Sequence, residues 1–352
     1  MTDSTLLQVC PNDHPPFLDI CAVYQAAAAS IGRNLVTVFL SSANAEPLPG
    51  AVYLNCATLR NTVRVAAAFD AELASARSGP PAVELGICHR YRAYRVFRAS
   101  GWSASATLVV AHEFGFFDRW RRRMDQKLHA RGVRFAGVSA PVVDELARAV
   151  KQPLLMPNGI DVDRAAASRL ERTQALAVLN LREQHFNIGV VGRLHPKKQP
   201  QLALSAMACV RQALPDAHLV FIGDGELKAE LQASAEKQSV SFAGFVAEAA
   251  RHFNALDVLL IPSGEREAFS MVALEAMAAG VPVVAGPTPG PHFVLGDVGY
   301  YFTEFTAEDL AAAVISVHRD RGRSGERMRR GITRAERDFS VAAIAKRLQI
   351  LL

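Results

Sequence analysis

Short apolar runs alternate with longer helical patterns along the whole chain. In the first half the apolar runs are LLQVC (6–10), LVTVFL (35–40), VELGI (83–87), TLVVAH (107–112) and FAGVS (135–139). In the second half they are NIGVVG (187–192), HLVFIG (218–223), VSFAG (240–244), DVLLIP (257–262) and PVVAG (282–286). Between them lie helical stretches such as DICAVYQAAAASIG (19–32) and DRWRRRMDQKLHA (118–130). This alternation predicts an α/β fold with parallel sheets.

The strands fall into two sets, and each set is typical of one doubly wound, Rossmann-like unit. The turn-rich segment MPNGIDVD (156–163) is the expected boundary between them. We expect an N-terminal domain over residues 1–163, a C-terminal domain over 164–335, and a terminal helix over 336–352 that returns to the N-terminal domain. Such sheets bind ligands at the carboxyl ends of their strands, so a cleft between two such faces is the expected site.

Composition narrows the class of protein. Half of the 352 residues are hydrophobic, and mean hydropathy is +0.11, which is enough apolar material for two cores. The five cysteines are scattered and odd in number, which favours a reducing compartment over a disulfide framework. The start of the chain resembles no secretory signal, and no apolar run reaches the length of a membrane span. We expect a cytoplasmic protein, soluble or peripheral at the inner membrane.

Positive charge is concentrated between residues 90 and 134. Eleven Lys or Arg residues lie there, interleaved with aromatic residues, against only three acidic residues. One interpretation is a pair of solvated amphipathic helices. The other is a face that meets an anionic partner, such as a membrane surface or a phosphorylated acceptor. No nucleic-acid-binding motif accompanies the charge, so we expect no nucleic-acid partner.

The stretch EREAFSMVALEAMAAG (265–280) places two carboxylates in an apolar context. Gly280, followed by Val-Pro, predicts the end of a helix, and Ser270 is a suitable N-cap for its start. Glu267 then lies in the preceding loop, and Glu275 lies in the second turn. A helix N-terminus suits phosphate, and a carboxylate suits a ligand rich in hydroxyls. The alternative is that Glu275 meets an internal arginine or a backbone donor.

Two further segments follow strands of the second half. In VVGRLHPKKQP (190–200), Arg193 follows a strand, and Lys198 is expected to open the next helix. Two cations there can neutralise a diphosphate, although surface charge is the alternative interpretation. VFIGDGEL (220–227) carries Gly223-x-Gly225, but Lys228 stands where the dinucleotide fingerprint needs a third glycine. A simple turn, or a loop near a nucleotide, explains this segment.

Taken in order, these motifs resemble the retaining glycosyltransferases of glycosyltransferase family 4, which have the GT-B fold with two Rossmann-like domains facing a central cleft. The matching segments are PNGID (157–161), VGRL (191–194) with Lys198, IGDGEL (222–227), NALDVLLIPS (254–263), the E-x7-E pair Glu267 and Glu275, and LEAMAAGVPVVA (274–285). The N-terminal half matches through its α/β pattern, the VVAHEF segment (109–114) and GVSAP (137–141).

The resemblance implies transfer of a sugar from a nucleotide-sugar, with a UDP-sugar favoured, to an acceptor with retention of anomeric configuration. Arg193 and Lys198 would bind the donor diphosphate and stabilise the leaving group. Glu275 would bind the ribose, and Glu267 would contact the donor sugar. The remaining implied donor contacts are the backbone amides around Phe269, Ser270 and Met271, and the base site near Phe245 and Val246. His112 would face the sugar.

The implied mechanism is front-face attack, in which the leaving phosphate takes the acceptor proton. Family members generally need no metal, so neither a cofactor nor a metal is expected. The chain also departs from the family. The first loop, PNDHPPFLD (11–19), lacks the usual glycine pair, so Asp13 or His14 could contact the acceptor alongside His112. EAFS (267–270) replaces E-G-F-G, and His292 lies where many members carry Glu.

We therefore expect a GT-B hexosyltransferase acting on a glycan or glycolipid acceptor in the synthesis of lipopolysaccharide or another cell-envelope polysaccharide. Two other functions remain open. One is a catalytically silent nucleotide-sugar or glycan-binding protein, as the changed first loop would allow. The other is a GT-B sugar-nucleotide epimerase or phosphorylase, against which the Arg193, Lys198 and E-x7-E set argues.

Overall fold

The structure is a computed structural model that describes residues 5–14, 16–42, 47–56, 59–76, 83–235, 239–264, 266–320 and 324–352. The chain divides into two compact units. The first contains Met1–Ile160 together with Phe339–Leu352, and the second contains Asp161–Asp338. The sequence expectation places these boundaries after residues 163 and 335.

Strands and helices alternate in both units. The strands are β1 Thr5–Cys10, β2 Asn34–Phe39, β3 Ala51–Tyr53, β4 Val83–His89, β5 Ala104–Ala111, β6 Val133–Gly137, β7 Leu154–Leu155, β8 Phe186–Val191, β9 Ala217–Ile222, β10 Val240–Gly244, β11 Val258–Ile261, β12 Val283–Ala285 and β13 Tyr300–Tyr301. The helices are α1 Phe17–Ser30, α2 Thr62–Ala76, α3 Arg90–Ala99, α4 Trp120–His129, α5 Ala140–Ala147, α6 Val162–Ser168, α7 Arg172–Val178, α8 Pro200–Ala213, α9 Lys228–Ser234, α10 Met271–Ala278, α11 Pro289–Leu295, α12 Ala307–Arg319, α13 Ser324–Phe339 and α14 Val341–Leu351.

Each unit has a wholly parallel sheet in Rossmann order. The first sheet has the strand order β3-β2-β1-β4-β5-β6-β7, and the second has the order β10-β9-β8-β11-β12-β13. The central strands β1 and β11 are buried along their whole length because helices cover both faces of a parallel sheet. The prediction of two doubly wound α/β units is confirmed.

The sequence pattern does not predict three short strands. They are β3, β7 and β13, which contain two or three residues each and lie at or near sheet edges. Segments this short carry too few positions to show a period. The C-terminal helix α14 packs against α1, so the end of the chain belongs to the first unit.

Strand order locates the sites. In the first sheet the order reverses between β1 and β4, and in the second it reverses between β8 and β11. At such a reversal the two crossover helices lie on opposite faces, which leaves a crevice outside the carboxyl ends of the strands. The loops after these four strands are therefore the expected positions for functional side chains.

Candidate active site

Three loops of the second unit are tied together by backbone hydrogen bonds. They follow β8, β11 and β12. The amide of Gly264, after β11, donates to the Lys197 carbonyl, after β8, at 3.1 Å. On the other side, the amide of Gly290 donates to the Glu267 carbonyl at 2.9 Å. The buried Thr288 hydroxyl donates to the Ser263 carbonyl at 2.8 Å. The segment that carries Glu267 is therefore held from both sides.

Lys198 and Glu267 form an ion pair at the β8/β11 reversal. Lys198 Nζ donates to Glu267 Oε1 at 2.8 Å, and the Glu267 side chain is only 12% exposed. The second oxygen, Oε2, is buried and accepts no hydrogen bond from the residues that the structure describes. An ammonium has three N–H donors, so one bond to Glu267 leaves others for a ligand. The pair presents a cation and an unpaired acceptor side by side.

The two predicted cations differ in setting. Arg193 is exposed just beyond the end of β8, and no ion pair of its guanidinium is found within the described ranges. The expectation that Lys198 opens the next helix is wrong. It ends a 3₁₀ turn, Pro196–Lys198, and α8 begins at Pro200 after Gln199 takes a positive φ of 46°. The turn directs the chain back toward the β11 loop, where Lys198 meets Glu267.

The glycines of VFIGDGEL serve close packing between loops. Gly223 has φ 145°, and a Cβ there would lie 2.0 Å from the Gly192 carbonyl oxygen. A Cβ on Gly225 would lie 2.3 Å from the Leu194 carbonyl oxygen. The Leu194 amide also donates to the Asp224 carbonyl at 2.9 Å. These glycines let the β9 loop support the loop that carries Arg193.

The helix predicted from EAFSMVALEAMAAG is present, and its start and end are confirmed. Ser270 is its N-cap, and its hydroxyl accepts from the Ala273 amide. Gly280 has φ 69°, and its amide donates to the Met277 carbonyl while that of Val281 donates to the Ala276 carbonyl, which is a Schellman motif.

The start of helix α10 determines where the other residues predicted to contact the sugar donor lie. Phe269 and Ser270 are buried, and Met271 starts the helix, so amides of its first turn lie at the sheet edge without intrahelical partners. Glu275 is half-buried in the second turn. Glu267 lies in the loop, as predicted.

The predicted base site has an exposed aromatic ring. Phe245 follows Gly244, which has φ 72° and ends β10, and its side chain is 78% exposed. Val246 is half-buried beside it. The exposed phenyl ring offers a stacking surface next to the β9 loop, because the Gly223 amide donates to the Gly244 carbonyl at 2.7 Å.

In the first unit, His112 lies directly after β5 and contacts a second histidine. Its Nε2 lies 3.0 Å from Nδ1 of His89, the last residue of β4. His89 Nε2 lies 3.3 Å from Gln8 Oε1, on β1. Burial lowers the pKa of His89 to about 3. The pKa of His112 is also well below its usual value, because the ring is buried and lies near His89 and the positive charge of Arg90. A side-chain hydrogen bond with Asn158 raises this pKa and offsets part of the effect.

The glycine-free first loop places its two polar candidates differently. Asp13 is buried, and its Oδ2 accepts from the Ser42 hydroxyl at 2.6 Å. His14 is exposed, and its carbonyl accepts from the Phe17 amide at the start of α1. Pro15 of this loop lies outside the described residues. The loop is thus anchored through Asp13 and presents His14.

Three polar residues at this edge of the first sheet have no role in the sequence motifs described above: Arg90, Gln8 and His89. Arg90 has a positive φ of 72°, its guanidinium lies 4.7 Å from the Phe17 ring centroid, and its Nε is buried without a described partner. The available signal for Gln8 and His89 was a polar side chain in an otherwise apolar strand. No sequence signal marks the strained backbone of Arg90, since positive φ is uncommon for non-glycine residues.

His292 has a local role. Its Nε2 contacts the Gly286 carbonyl at 3.1 Å, and the ring stacks on Tyr301 with centroids 3.9 Å apart. Asp161 caps α6 by accepting from the Arg164 amide at 3.0 Å. Over the described ranges, no group of three or more His, Cys, Asp or Glu side chains is placed to hold a metal ion.

Less of the basic, aromatic segment 90–134 is exposed to solvent than its sequence indicates. Most of its aromatic residues pack inward and are buried: Tyr91, Tyr94, Phe97, Phe116 and Phe117. These buried rings are therefore not part of an exposed face, whereas Arg92, Arg95 and Arg98 of α3 are exposed. In α4 no residue is buried. Among the described helices, none is long and apolar enough to cross a membrane.

Comparison with known proteins finds a family model that matches most of the second unit. Residues 185–320 match the model of group 1 glycosyl transferases. A D-inositol 3-phosphate glycosyltransferase of Segniliparus rotundus is 32% identical over 153 residues, which is 41% of this chain and 33% of that protein. The matched stretch spans less than half the length of each of the first curated relatives.

Solved structures match over nearly the whole chain. Anabaena HepE in complex with UDP has a TM-score of 0.76 at 18% identity, covering 98% of each chain. WaaG, a glycosyltransferase involved in lipopolysaccharide biosynthesis, has a TM-score of 0.72 at 16% identity and covers 98% of this chain and 99% of its own. The chain has the GT-B fold seen in solved glycosyltransferases, and residues 185–320 of its second unit match the model of group 1 glycosyl transferases.

Proposed function

We propose that the protein is a retaining glycosyltransferase that moves a hexosyl group from a nucleotide-sugar, with UDP as the favoured nucleotide, to a glycan or glycolipid acceptor. The observation that carries this proposal is the Lys198–Glu267 pair. It lies at the β8/β11 reversal and combines a partly exposed ammonium with a buried carboxylate oxygen that accepts no hydrogen bond from the described part of the chain. A phosphorylated sugar has both complements, namely phosphate oxygens for the cation and hydroxyl donors for the acceptor oxygen.

Charge stabilisation is the proposed role of the cations. Lys198 and Arg193 neutralise the diphosphate as the bond between the anomeric carbon and the phosphate oxygen breaks, and that oxygen keeps the electron pair. An acceptor hydroxyl forms the new bond on the same face, and its proton passes to the departing phosphate. The products are the glycosylated acceptor and a nucleoside diphosphate. No step in this sequence needs a metal, so chelation should leave turnover unchanged.

Donor binding is assigned to the surrounding loops. Glu267 Oε2 accepts from a sugar hydroxyl once the groups that cover it give way, and the amides near Phe269, Ser270 and Met271 bind sugar and phosphate. Glu275 accepts from the ribose hydroxyls. The exposed Phe245 ring stacks with the base, next to Val246. UDP as the nucleotide is supported by the UDP complex of Anabaena HepE.

The acceptor side is assigned to the first unit. His112 and His14 are the proposed contacts, and an envelope glycolipid such as a lipopolysaccharide precursor is the proposed acceptor. The likeness to WaaG supports this assignment.

Helix α4 supports a membrane-bound acceptor because its apolar side faces outward. Trp120, Met124 and Leu128 are 68%, 46% and 70% exposed, and their spacing of four places them on one side of the helix.

The opposite side of α4 is held to the first unit by polar contacts. Arg122 donates to the Phe116 carbonyl at 2.9 Å, and Asp125 accepts from Arg98 at 2.7 Å and from the Tyr91 hydroxyl.

Basic residues flank the apolar stripe of α4. Arg121 and Lys127 are exposed within the helix, and Arg119 and Arg131 lie beyond its ends. An apolar stripe between cations is the arrangement of helices that lie in the interface of an anionic bilayer. We propose that α4 docks on the cytoplasmic face of the inner membrane, where each basic residue contributes on the order of 1 kcal/mol.

Membrane docking predicts a specific loss of vesicle binding. Replacing Trp120, Met124 and Leu128 together with serine should reduce co-sedimentation with phosphatidylglycerol-containing vesicles by about tenfold or more, since it removes the buried apolar area. The matched control replaces the exposed Val63, Val178 and Ile350 with serine and should bind as the wild type does. Binding of the wild type should weaken as salt rises. Salt-independent association, no association, or equal binding by the α4 variant would contradict docking.

A thermal-shift screen tests the donor assignment. Because a ligand that binds only the folded state stabilises it by mass action, UDP-sugars should raise Tm more than GDP-, ADP- or dTDP-sugars. A silent binding protein would give the same shift without transfer or donor hydrolysis across an acceptor panel. An epimerase would convert the nucleotide-sugar without any acceptor. No shift with any nucleotide-sugar would remove the support for a donor site.

A further inference from the structure

A buried polar chain crosses the β1/β4 reversal of the first sheet and continues to the end of β5. It runs from Gln8 through His89 to His112, with contacts of 3.3 Å and 3.0 Å. Gln8 and His89 are completely buried, whereas His112 is partly exposed at the sheet edge. Buried polar groups are costly unless they are paired. Each of these pairings therefore fixes which atom donates and which atom accepts.

The orientation of the Gln8 amide is determined by its other partners. Its Nε2 donates to the Cys21 carbonyl at 2.9 Å and to the Thr37 hydroxyl at 2.6 Å. A carbonyl oxygen can only accept, so the NH₂ group must face Cys21. The amide oxygen Oε1 then faces His89 and can only accept.

The tautomers of both histidines follow from that orientation. His89 must carry its proton on Nε2 to donate to Gln8 Oε1. A neutral His89 then has a lone pair on Nδ1, which can only accept from His112 Nε2–H. A neutral His112 consequently has a lone pair on Nδ1. That atom is buried and has no well-aligned hydrogen bond to a described residue, although the Asn158 side chain forms a weaker hydrogen bond to the His112 ring and is one of the groups that a ligand would have to displace.

The surroundings keep both rings neutral near pH 7. The pKa of His89 is about 3 because the ring is buried, with Tyr24 packed edge-on against it. The pKa of His112 is lowered by burial, by His89 and by the guanidinium of Arg90, and Asn158 opposes this only in part. Phe17 covers one side of the His112 ring at 5.0 Å between centroids.

We propose that Gln8 and His89 are positioning residues that hold His112 in the Nε2–H tautomer, so that its Nδ1 accepts a hydrogen bond from a sugar hydroxyl. The identity of the ligand as a sugar rests on the proposed function, whereas the tautomer rests on the hydrogen-bond chain alone. A bare lone pair favours a hydroxyl and repels a phosphate oxygen, so the chain sets what His112 can bind. Ligand access needs the groups that cover Nδ1 to shift.

Histidine ¹⁵N NMR tests the tautomer without any substrate. In protein labelled on its histidine nitrogens, at pH 7.5, His112 should show a protonated Nε2 and a bare Nδ1, and so should His89. His89→Leu removes the acceptor, and the His112 signals should move toward a mixture of tautomers. His89→Asn can place an amide oxygen near the former Nδ1, so it should restore the Nε2–H form. An Nδ1–H form of His112 in the wild type would overturn the proposal.

Kinetics then tests what the tautomer does. His89→Leu should lower kcat/KM for transfer about tenfold, the effect of losing one oriented hydrogen bond, and His89→Asn should recover most of it. Gln8→Met is the second variant if His89→Leu fails to fold, and it should also mix the tautomers. If His112 has the Nε2–H tautomer but the protein has no transferase activity, the proposed function is wrong, whereas the positioning of His112 by Gln8 and His89 still holds. Equal activity of the Leu and Asn variants would overturn the positioning role.

Discussion

Replacing Lys198 with alanine should lower kcat by about 10²–10³-fold, as is typical when one charge-stabilising donor is removed from an active site. Lys198 forms an ion pair with the Glu267 carboxylate at 2.8 Å, and its side chain remains partly exposed to a ligand. Removing it would deprive the leaving diphosphate of a positive charge. It would also leave the largely buried Glu267 without its counter-ion.

The chain supplies a matched control for this variant. Lys197 belongs to the same 3₁₀ turn, but it is exposed, and its backbone rather than its side chain meets the β11 loop. Lys197→Ala should keep kcat within about twofold, since surface substitutions away from such contacts have small effects. Both variants should be assayed at saturating donor, after thermal unfolding has shown that their Tm values equal that of the wild type. Equal losses in the two variants would indicate that net charge, and not the Lys198 position, matters.

Replacing Glu267 with glutamine should also cost about 10²–10³-fold in kcat. The substitution keeps the shape of the side chain but removes the negative charge that pairs with Lys198. It also turns one acceptor oxygen into an NH₂ donor, which cannot accept from a sugar hydroxyl. The control is Glu226→Gln, because Glu226 is an exposed carboxylate on the neighbouring β9 loop that meets His195 at 3.6 Å.

The two substitutions should not be additive. Residues that act as one unit lose most of their effect with the first removal, so the Lys198→Ala/Glu267→Gln double variant should resemble the worse single variant. Steady-state kinetics on the four proteins of the cycle measures this coupling. Fully additive losses would mean that the ion pair has no joint role in the reaction.

Local signals in the sequence were sufficient for the helix that follows Glu267. Ser270 as N-cap and Gly280 as a left-handed C′ residue both act within a few residues of the helix, so their effect can be read from neighbours in the chain. The alternation of strands and helices likewise determined the class of fold. Each of these depends on interactions that are short in sequence.

Contacts between distant residues could not be read in this way. Lys198 and Glu267 are 69 residues apart, and their pairing depends on the strand order that brings the β8 and β11 loops together. Gln8, His89 and His112 come from three parts of the chain that meet only because β1, β4 and β5 are neighbours in the first sheet. The outward apolar side of α4 was also hidden, because a helical pattern does not say which side faces the core.

The most direct test of the central claim is turnover of UDP-sugars in the presence of glycan and glycolipid acceptors, with the linkage of the product determined by NMR. We expect UDP release coupled to a product that keeps the anomeric configuration of the donor. The turnover rate should be unchanged by a metal chelator and at least a hundredfold lower in Lys198→Ala. A product of inverted configuration, or donor binding with no transfer or hydrolysis in the wild type across the whole panel, would contradict it.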